Sequence, residues 1–154
     1  MRILYIGFKG KNNMSFRLVS SLSGERIFLT NSFAGIAREI DALSINCDAV
    51  AIFGVDKMLS TSVRIERCAN KEDIFLHTAH SVCQLVKVLN SNGVNCEISD
   101  KSTAYLCNEA YYRLLQKTTG KAILIHIPSI RHMTAELMAG LLNSFAEYGG
   151  YSQG

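Results

Sequence analysis

The chain has 154 residues, 48% of them hydrophobic and 19% charged, with a net charge of +3. That length suits one domain (1–154) able to bury a real core, and the apolar balance excludes a disordered chain. No apolar run approaches the ~20 residues of a membrane span, and the dispersed Lys9, Lys11, Arg17 and Arg26 lack the dense basic footprint of a nucleic-acid binder.

Residues 2–6 read as a first strand rather than a signal peptide, because Gly7 and Lys9 interrupt the run; the expected location is the cytoplasm. A glycine-containing loop, 7–13, leads into an amphipathic helix over 14–22 that Ser23 and Gly24 end. A short strand over 26–30 and a second helix over 33–43 follow. The continuous apolar run 49–53, stopped by Gly54, suits a central parallel strand. Residues 63–69 alternate as a strand with Arg64, Glu66 and Cys68 on one face. Residues 74–89 carry apolar side chains at helical spacing, and 90–93 stop them. A strand over 94–98, a loop from Ser102 into a helix holding Cys107, a strand over 122–128 holding His126, and a last helix over 134–148 complete the order. Strands alternating with helices predict an α/β sandwich, with helices on both faces of a mostly parallel sheet.

The five cysteines (Cys47, Cys68, Cys83, Cys96 and Cys107) include no Cys-x-x-Cys pair and read as free thiols. His77 and His80 stand at His-x-x-His spacing with no third ligand in view, so a solvated or capping pair is expected and no metal or other cofactor.

Cys107 lies near the first turn of its helix, where unpaired N–H groups and the helix dipole favour a thiolate. His126 lies at the end of an apolar strand, just before Pro128. Thiol and imidazole are the two groups a cysteine hydrolase needs. The plainer readings are a small buried cysteine, a hydrogen-bonded core histidine, and a Glu66 that forms a surface ion pair with Arg64 or Arg67.

Leu106-Cys107-Asn108 with Tyr111 and Tyr112, then His126-Ile127-Pro128, resembles the pyroglutamyl peptidase I (pyrrolidone carboxyl peptidase) family of cysteine peptidases. Glu66-Arg67-Cys68-Ala69 is similar to that family's Glu-Arg-x-Ala segment, and Ile3-Leu4-Tyr5-Ile6-Gly7-Phe8 to its first strand and Gly-Phe turn. The resemblance is strongest over 1–8, 63–70 and 100–128, and marks a short, divergent member.

The resemblance implies a three-layer α/β/α sandwich with a mostly parallel, mixed sheet, and a Cys107–His126–Glu66 triad. The implied partner is a peptide with a blocked N-terminus, cleaved after its pyroglutamate; members of that family often form homo-oligomers. Phe8 and Asn13 match substrate-side positions. Where the family has Pro-Phe-Gly-Gly, this chain has Lys9 to Asn13, and where it has a Gly-Gln-Ala-Gly-Gly-Arg turn, this chain has Gly54 to Leu59. Asp56 or Lys57 is then the candidate to meet a different ligand, and a substrate-covering loop between Glu66 and Cys107 is expected to be missing. The competing functions are a divergent amidase using the same triad on another small acyl group, a non-catalytic binding protein of this fold, and a nucleotide-binding protein using Gly7-Phe8-Lys9-Gly10. The last lacks a full phosphate-loop pattern.

Overall fold

Strand β1, Ile3–Phe8, is buried along its whole length, and it organises the computed structural model, which describes residues 1–102 and 105–150. Helix α1 (Met14–Ser21) follows, then β2 (Glu25–Leu29), α2 (Phe33–Asp41), β3 (Ala49–Val55), β4 (Ser62–Glu66), β5 (Cys68–Lys71), β6 (Ile74–His77), α3 (Val82–Ser91), β7 (Asn95–Ser99), α4 (Tyr105–Thr118), β8 (Ala122–Ile127) and α5 (Ala135–Gly149). Six strands form one sheet in the order β2-β1-β3-β8-β4-β7. Every neighbouring pair in it is parallel except β4 with β8.

Alternation along the strands divides the apolar side chains between two layers. Ala51, Phe53, Ile65, Ile123 and Ile125 pack with Leu18 of α1, Leu85 of α3 and Phe145 of α5. On the other face Ile6, Ile52 and Leu124 pack with Ile36 and Ile40 of α2 and with Tyr111 and Leu114 of α4. The architecture is a three-layer α/β/α sandwich around a mixed, mostly parallel sheet. No helix among the described residues is long and apolar enough to cross a membrane.

Helix ends follow local chemistry. Asn13, Ser32, Ser81 and Thr134 cap α1, α2, α3 and α5 by accepting from backbone N–H groups two or three residues on.

Four expectations need correction. The strand predicted to stop before Gly7 runs on to Phe8, because a side chain at 7 would meet Ser15 backbone oxygen at 3.0 Å and glycine lets α1 pack close. Likewise β3 continues through Gly54 to Val55. The strand predicted over 63–69 is two, broken at Arg67: β4 stays in the main sheet, while Cys68 opens β5 and pairs with His77. The helix predicted over 74–89 begins only at Val82. Ile74 to His77 instead form β6, the return arm of a hairpin with β5 turned at Glu72, whose φ is 55°. Its apolar residues matched helical spacing, but the four-residue run pairs with β5 and packs against α4. The predicted approach loop to α4 falls partly on residues 103 and 104, which lie outside the described residues.

Candidate active site

His126 is the fifth residue of β8, on the same face as Ala122 and Leu124, and so under α4. In the sheet it stands between Gly54 of β3 and Arg64 of β4. Antiparallel β4 carries Val63 and Ile65 to the opposite face, which brings Arg64 and Glu66 round to the histidine's side. The result joins residues 60 positions apart: His126 Nδ1 is 2.9 Å from Glu66 Oε1. A carboxylate can only accept, so Nδ1 donates and Nε2 is left as the acceptor nitrogen of the neutral ring.

The Glu66 side chain is 1% exposed. Its Oε1 also accepts from Arg64 Nε at 2.6 Å, and Arg64 reaches Asp56 Oδ2 at 2.7 Å through its second arm. Glu66 Oε2 is buried without a hydrogen-bond partner among the described residues. Burial favours the neutral acid, but the hydrogen bonds from His126 and Arg64 outweigh it and hold the Glu66 carboxyl below the usual carboxylate range. The surface ion pair that the sequence also allowed is thus a buried one, shared with the imidazole.

Cys107 is the third residue of α4, half-buried against the layer formed by α2 and α4. A β-carbon placed on Gly54 would lie 2.5 Å from Cys107 Sγ and 3.3 Å from His126 Nε2. Sulfur and ring nitrogen therefore face the same small space above a glycine. Two bonds seat this first turn of the helix: Asn108 Oδ1 accepts from Asn70 N at 3.0 Å, and Asn108 Nδ2 donates to Asn70 O at 2.7 Å. Asn70 Oδ1 accepts from Ser102 Oγ, and deeper in the helix Tyr111 Oη donates to Glu66 O at 2.8 Å.

The electrostatics of the thiol differ from expectation. A helix start beside an imidazole was expected to lower its pKa. Burial, followed by the Asp56 and Glu66 carboxylates, pushes Cys107 up to about 11 instead. The resting group is a thiol, with a nitrogen acceptor close by to take its proton.

Of the remaining predicted site residues, Asp56 reaches the triad through Arg64, while Phe8 and Asn13 serve other contacts. Phe8 is 3% exposed and packs in the α2–α4 layer, with its N–H donating to Ser15 Oγ. Asn13 caps α1 through its side-chain oxygen and lines a groove of about 520 Å³ with Gly10, Lys11, Met14, Val55, Lys57 and Ile130. That groove begins one residue beyond Gly54. Asp56 has both oxygens engaged, Oδ1 by Met58 N at 2.9 Å and Oδ2 by Arg64. His77 ends β6, and His80 contacts Lys121 O through Nε2 at 2.7 Å. Among the described residues no group of His, Cys, Asp and Glu is arranged to hold a metal ion.

Sequence reasoning passed over Gly54, Arg64 and Asn108 as site residues. Each left a trace: a glycine inside an apolar strand, a basic residue two before Glu66 on its strand face, and an amide next to the thiol.

No protein-family model and no curated protein matches the sequence. Solved structures do match the fold. The pyrrolidone carboxyl peptidase from Thermus thermophilus superposes with a TM-score of 0.78 at 17% identity, over 94% of this chain and 98% of that one. The enzyme from Thermococcus litoralis gives 0.74 at 16%, over 94% and 91%. That from Fervidobacterium islandicum AW-1 gives 0.70 at 20%, over 96% and 95%. The chain has the fold of the pyrrolidone carboxyl peptidases.

Proposed function

We propose that the protein is a cysteine peptidase of the pyroglutamyl peptidase type, hydrolysing the amide bond that follows an N-terminal pyroglutamate. The observation that carries this reading is the convergence of Glu66, His126 and Cys107 on one face of the sheet, with the imidazole held by the carboxylate at 2.9 Å and the sulfur facing the same space as Nε2. Five free cysteines suit a reducing, cytoplasmic setting.

The chemistry runs as general-base catalysis by a neutral thiol. His126 Nε2 takes the Sγ proton as sulfur attacks the scissile carbonyl, and Glu66 stabilises the imidazolium that forms. N–H groups in the first turn of α4, which lie too early in the helix to reach a carbonyl of its own, are natural donors to the developing oxyanion. Collapse of the tetrahedral intermediate breaks the C–N bond, and the imidazolium passes its proton to the leaving amine. A thioester remains on Cys107. Water then attacks it, again with His126 as base, releasing the acid and restoring the thiol.

A second reading, an amidase acting on another small acyl group, is favoured by the groove beside Gly54. Lys11 and Lys57 line it where an aromatic-glycine loop and a glutamine turn would be expected for a lactam ring.

The test is hydrolysis of a panel of acyl-aminocoumarins, pyroglutamyl among them, by the wild type and by Cys107→Ser. The serine hydroxyl is nearly isosteric and far less acidic. Loss of turnover with an unchanged circular dichroism spectrum supports the reading; equal turnover moves the nucleophile elsewhere.

A further inference from the structure

The Asp56–Arg64 pair is a charged element beside the site that the triad chemistry does not require. Arg64 lies on β4 two residues before Glu66, and its side chain is only 16% exposed. Through Nε it holds Glu66 Oε1 at 2.6 Å, the same oxygen that receives His126 Nδ1. Its Nη2 sits 3.4 Å from that ring nitrogen. Since Nδ1 already gives its proton to Glu66, the guanidinium is a like-charged neighbour of any imidazolium that forms, not its partner. Asp56, on the loop after β3, anchors the same Nη2 at 2.7 Å and is itself fixed by Met58 N at 2.9 Å. The site thus holds an ordered row of alternating charge: Asp56, Arg64, Glu66, His126.

We propose that Arg64 and Asp56 are positioning residues: together they fix the Glu66 carboxylate on His126, and their opposite charges set the pH at which the Cys107 thiol beside that imidazole gives up its proton. This rests on the cysteine peptidase reading for its meaning in catalysis, but not for its test. The charged or titratable groups facing Cys107 and His126 are Arg64 and Glu66 from β4, Asp56 from the loop after β3, and Cys68 and Tyr111, which feel the Glu66 charge from β5 and α4.

The physical argument is one of sign. A nearby cation makes the proton on the Cys107 thiol less welcome and a nearby anion makes it more so. Arg64→Gln removes the cation while keeping a hydrogen-bonding amide, so the thiol holds its proton to higher pH. Asp56→Asn removes the anion with little change of shape, so the thiol releases its proton at lower pH. A residue that merely braces the loop would not move the two profiles in opposite directions.

The experiment is the pH dependence of Cys107 alkylation by iodoacetamide, read by mass spectrometry of the Cys107 peptide. It needs no substrate. The rising limb is expected to move up by about one pH unit in Arg64→Gln, or roughly tenfold slower alkylation at a fixed pH on that limb, and down by a similar amount in Asp56→Asn. Arg64→Lys keeps the charge and should keep the profile in place. Shifts in the same direction for Gln and Asn variants, no shift in either, or a Lys variant that follows Gln would each overturn the proposal. Thermal denaturation identifies a variant that has simply loosened, and the Asp56→Asn arm stands if Arg64→Gln fails to fold. Opposite shifts without hydrolysis of any acyl-aminocoumarin would retain the inference and remove the peptidase reading.

Discussion

Gly54 and Cys107 share one volume: a β-carbon on the glycine would lie 2.5 Å from the thiol sulfur. The strand supplies no side chain there, and the helix above it fills the place with the Cys107 sulfur. His126 stands opposite Gly54 in the ladder, so the glycine also leaves room for Nε2. Gly54→Ala should push the thiol away from the imidazole. Overpacking of this kind costs about 1–3 kcal/mol, and misplacement of a reacting group by about 1 Å can cost about 100-fold in rate. Urea unfolding and kcat/KM on the best substrate are the measurements. An alanine variant with undiminished kcat/KM would mean that the sulfur has another productive position.

The order in which the five thiols react follows from burial and charge. Cys107 is pushed up to about 11 by burial and by the Asp56 and Glu66 carboxylates, whereas Cys83 is exposed. Alkylation follows the thiolate fraction, which rises roughly tenfold per pH unit below the pKa. At pH 7 iodoacetamide should therefore mark Cys83 before Cys107. The Cys107 rate should climb steadily between pH 7 and pH 10. Preferential labelling of Cys107 at pH 7 would show a resting thiolate and reverse the proposed order of proton transfer.

Glu66 links the site to acid stability. Burial raises its carboxyl, but hydrogen bonds from His126 and Arg64 prevail and leave it below the ordinary range. A group with a depressed folded value contributes stability that is complete above its unfolded value of about 4.3, and that is lost as pH falls through the folded value. Glu66→Gln should thus be less stable than the wild type at pH 7, with the gap closing as the pH drops below about 4. Urea midpoints for both proteins from pH 7 to pH 2.5 decide it: a gap of constant size would assign the loss to packing alone. At pH 7 the same variant should lose about 100-fold to 10,000-fold in kcat, because a neutral amide does not stabilise the imidazolium.

What the sequence disclosed, and what it withheld, divides along local and non-local physics. The buried strands β1, β3 and β8 and the helices α1, α2 and α5 were legible because each carries its own apolar period and its own cap, such as Ser32 or Thr134. The β5–β6 hairpin was not. Its strands have four residues each, and Ile74 to His77 acquire their strand identity only from the partner across the turn at Glu72. The meeting of Glu66, His126 and Cys107 was expected from the order of their motifs. The lock around them was not, since Arg64 and Asp56 become partners only when β4 folds back beside β8. The raised thiol pKa was missed for a similar reason: a helix start is visible in a sequence, while the burial of the sulfur and the two carboxylates gathered from β4 and the loop after β3 are not.

Specificity is the property on which this chain departs furthest from its resemblance. Ring recognition of a pyroglutamyl group requires stacking surface and paired amide partners, and a site built to hydrogen-bond its substrate discriminates by orders of magnitude. Here Phe8 is buried in the α2–α4 layer. Asn13 uses its side-chain oxygen to cap α1, and Asp56 is engaged by Arg64 and Met58. The groove next to Gly54 presents Lys11, Lys57 and Ile130. A peptidase that lacks ring contacts forfeits the binding energy that would hold the scissile carbonyl over its thiol. Pyroglutamyl-aminocoumarin should be cleaved with a kcat/KM at least about tenfold below that of the Thermus thermophilus pyrrolidone carboxyl peptidase measured beside it. Matching efficiency would show that residues of this groove rebuild a lactam pocket by other contacts.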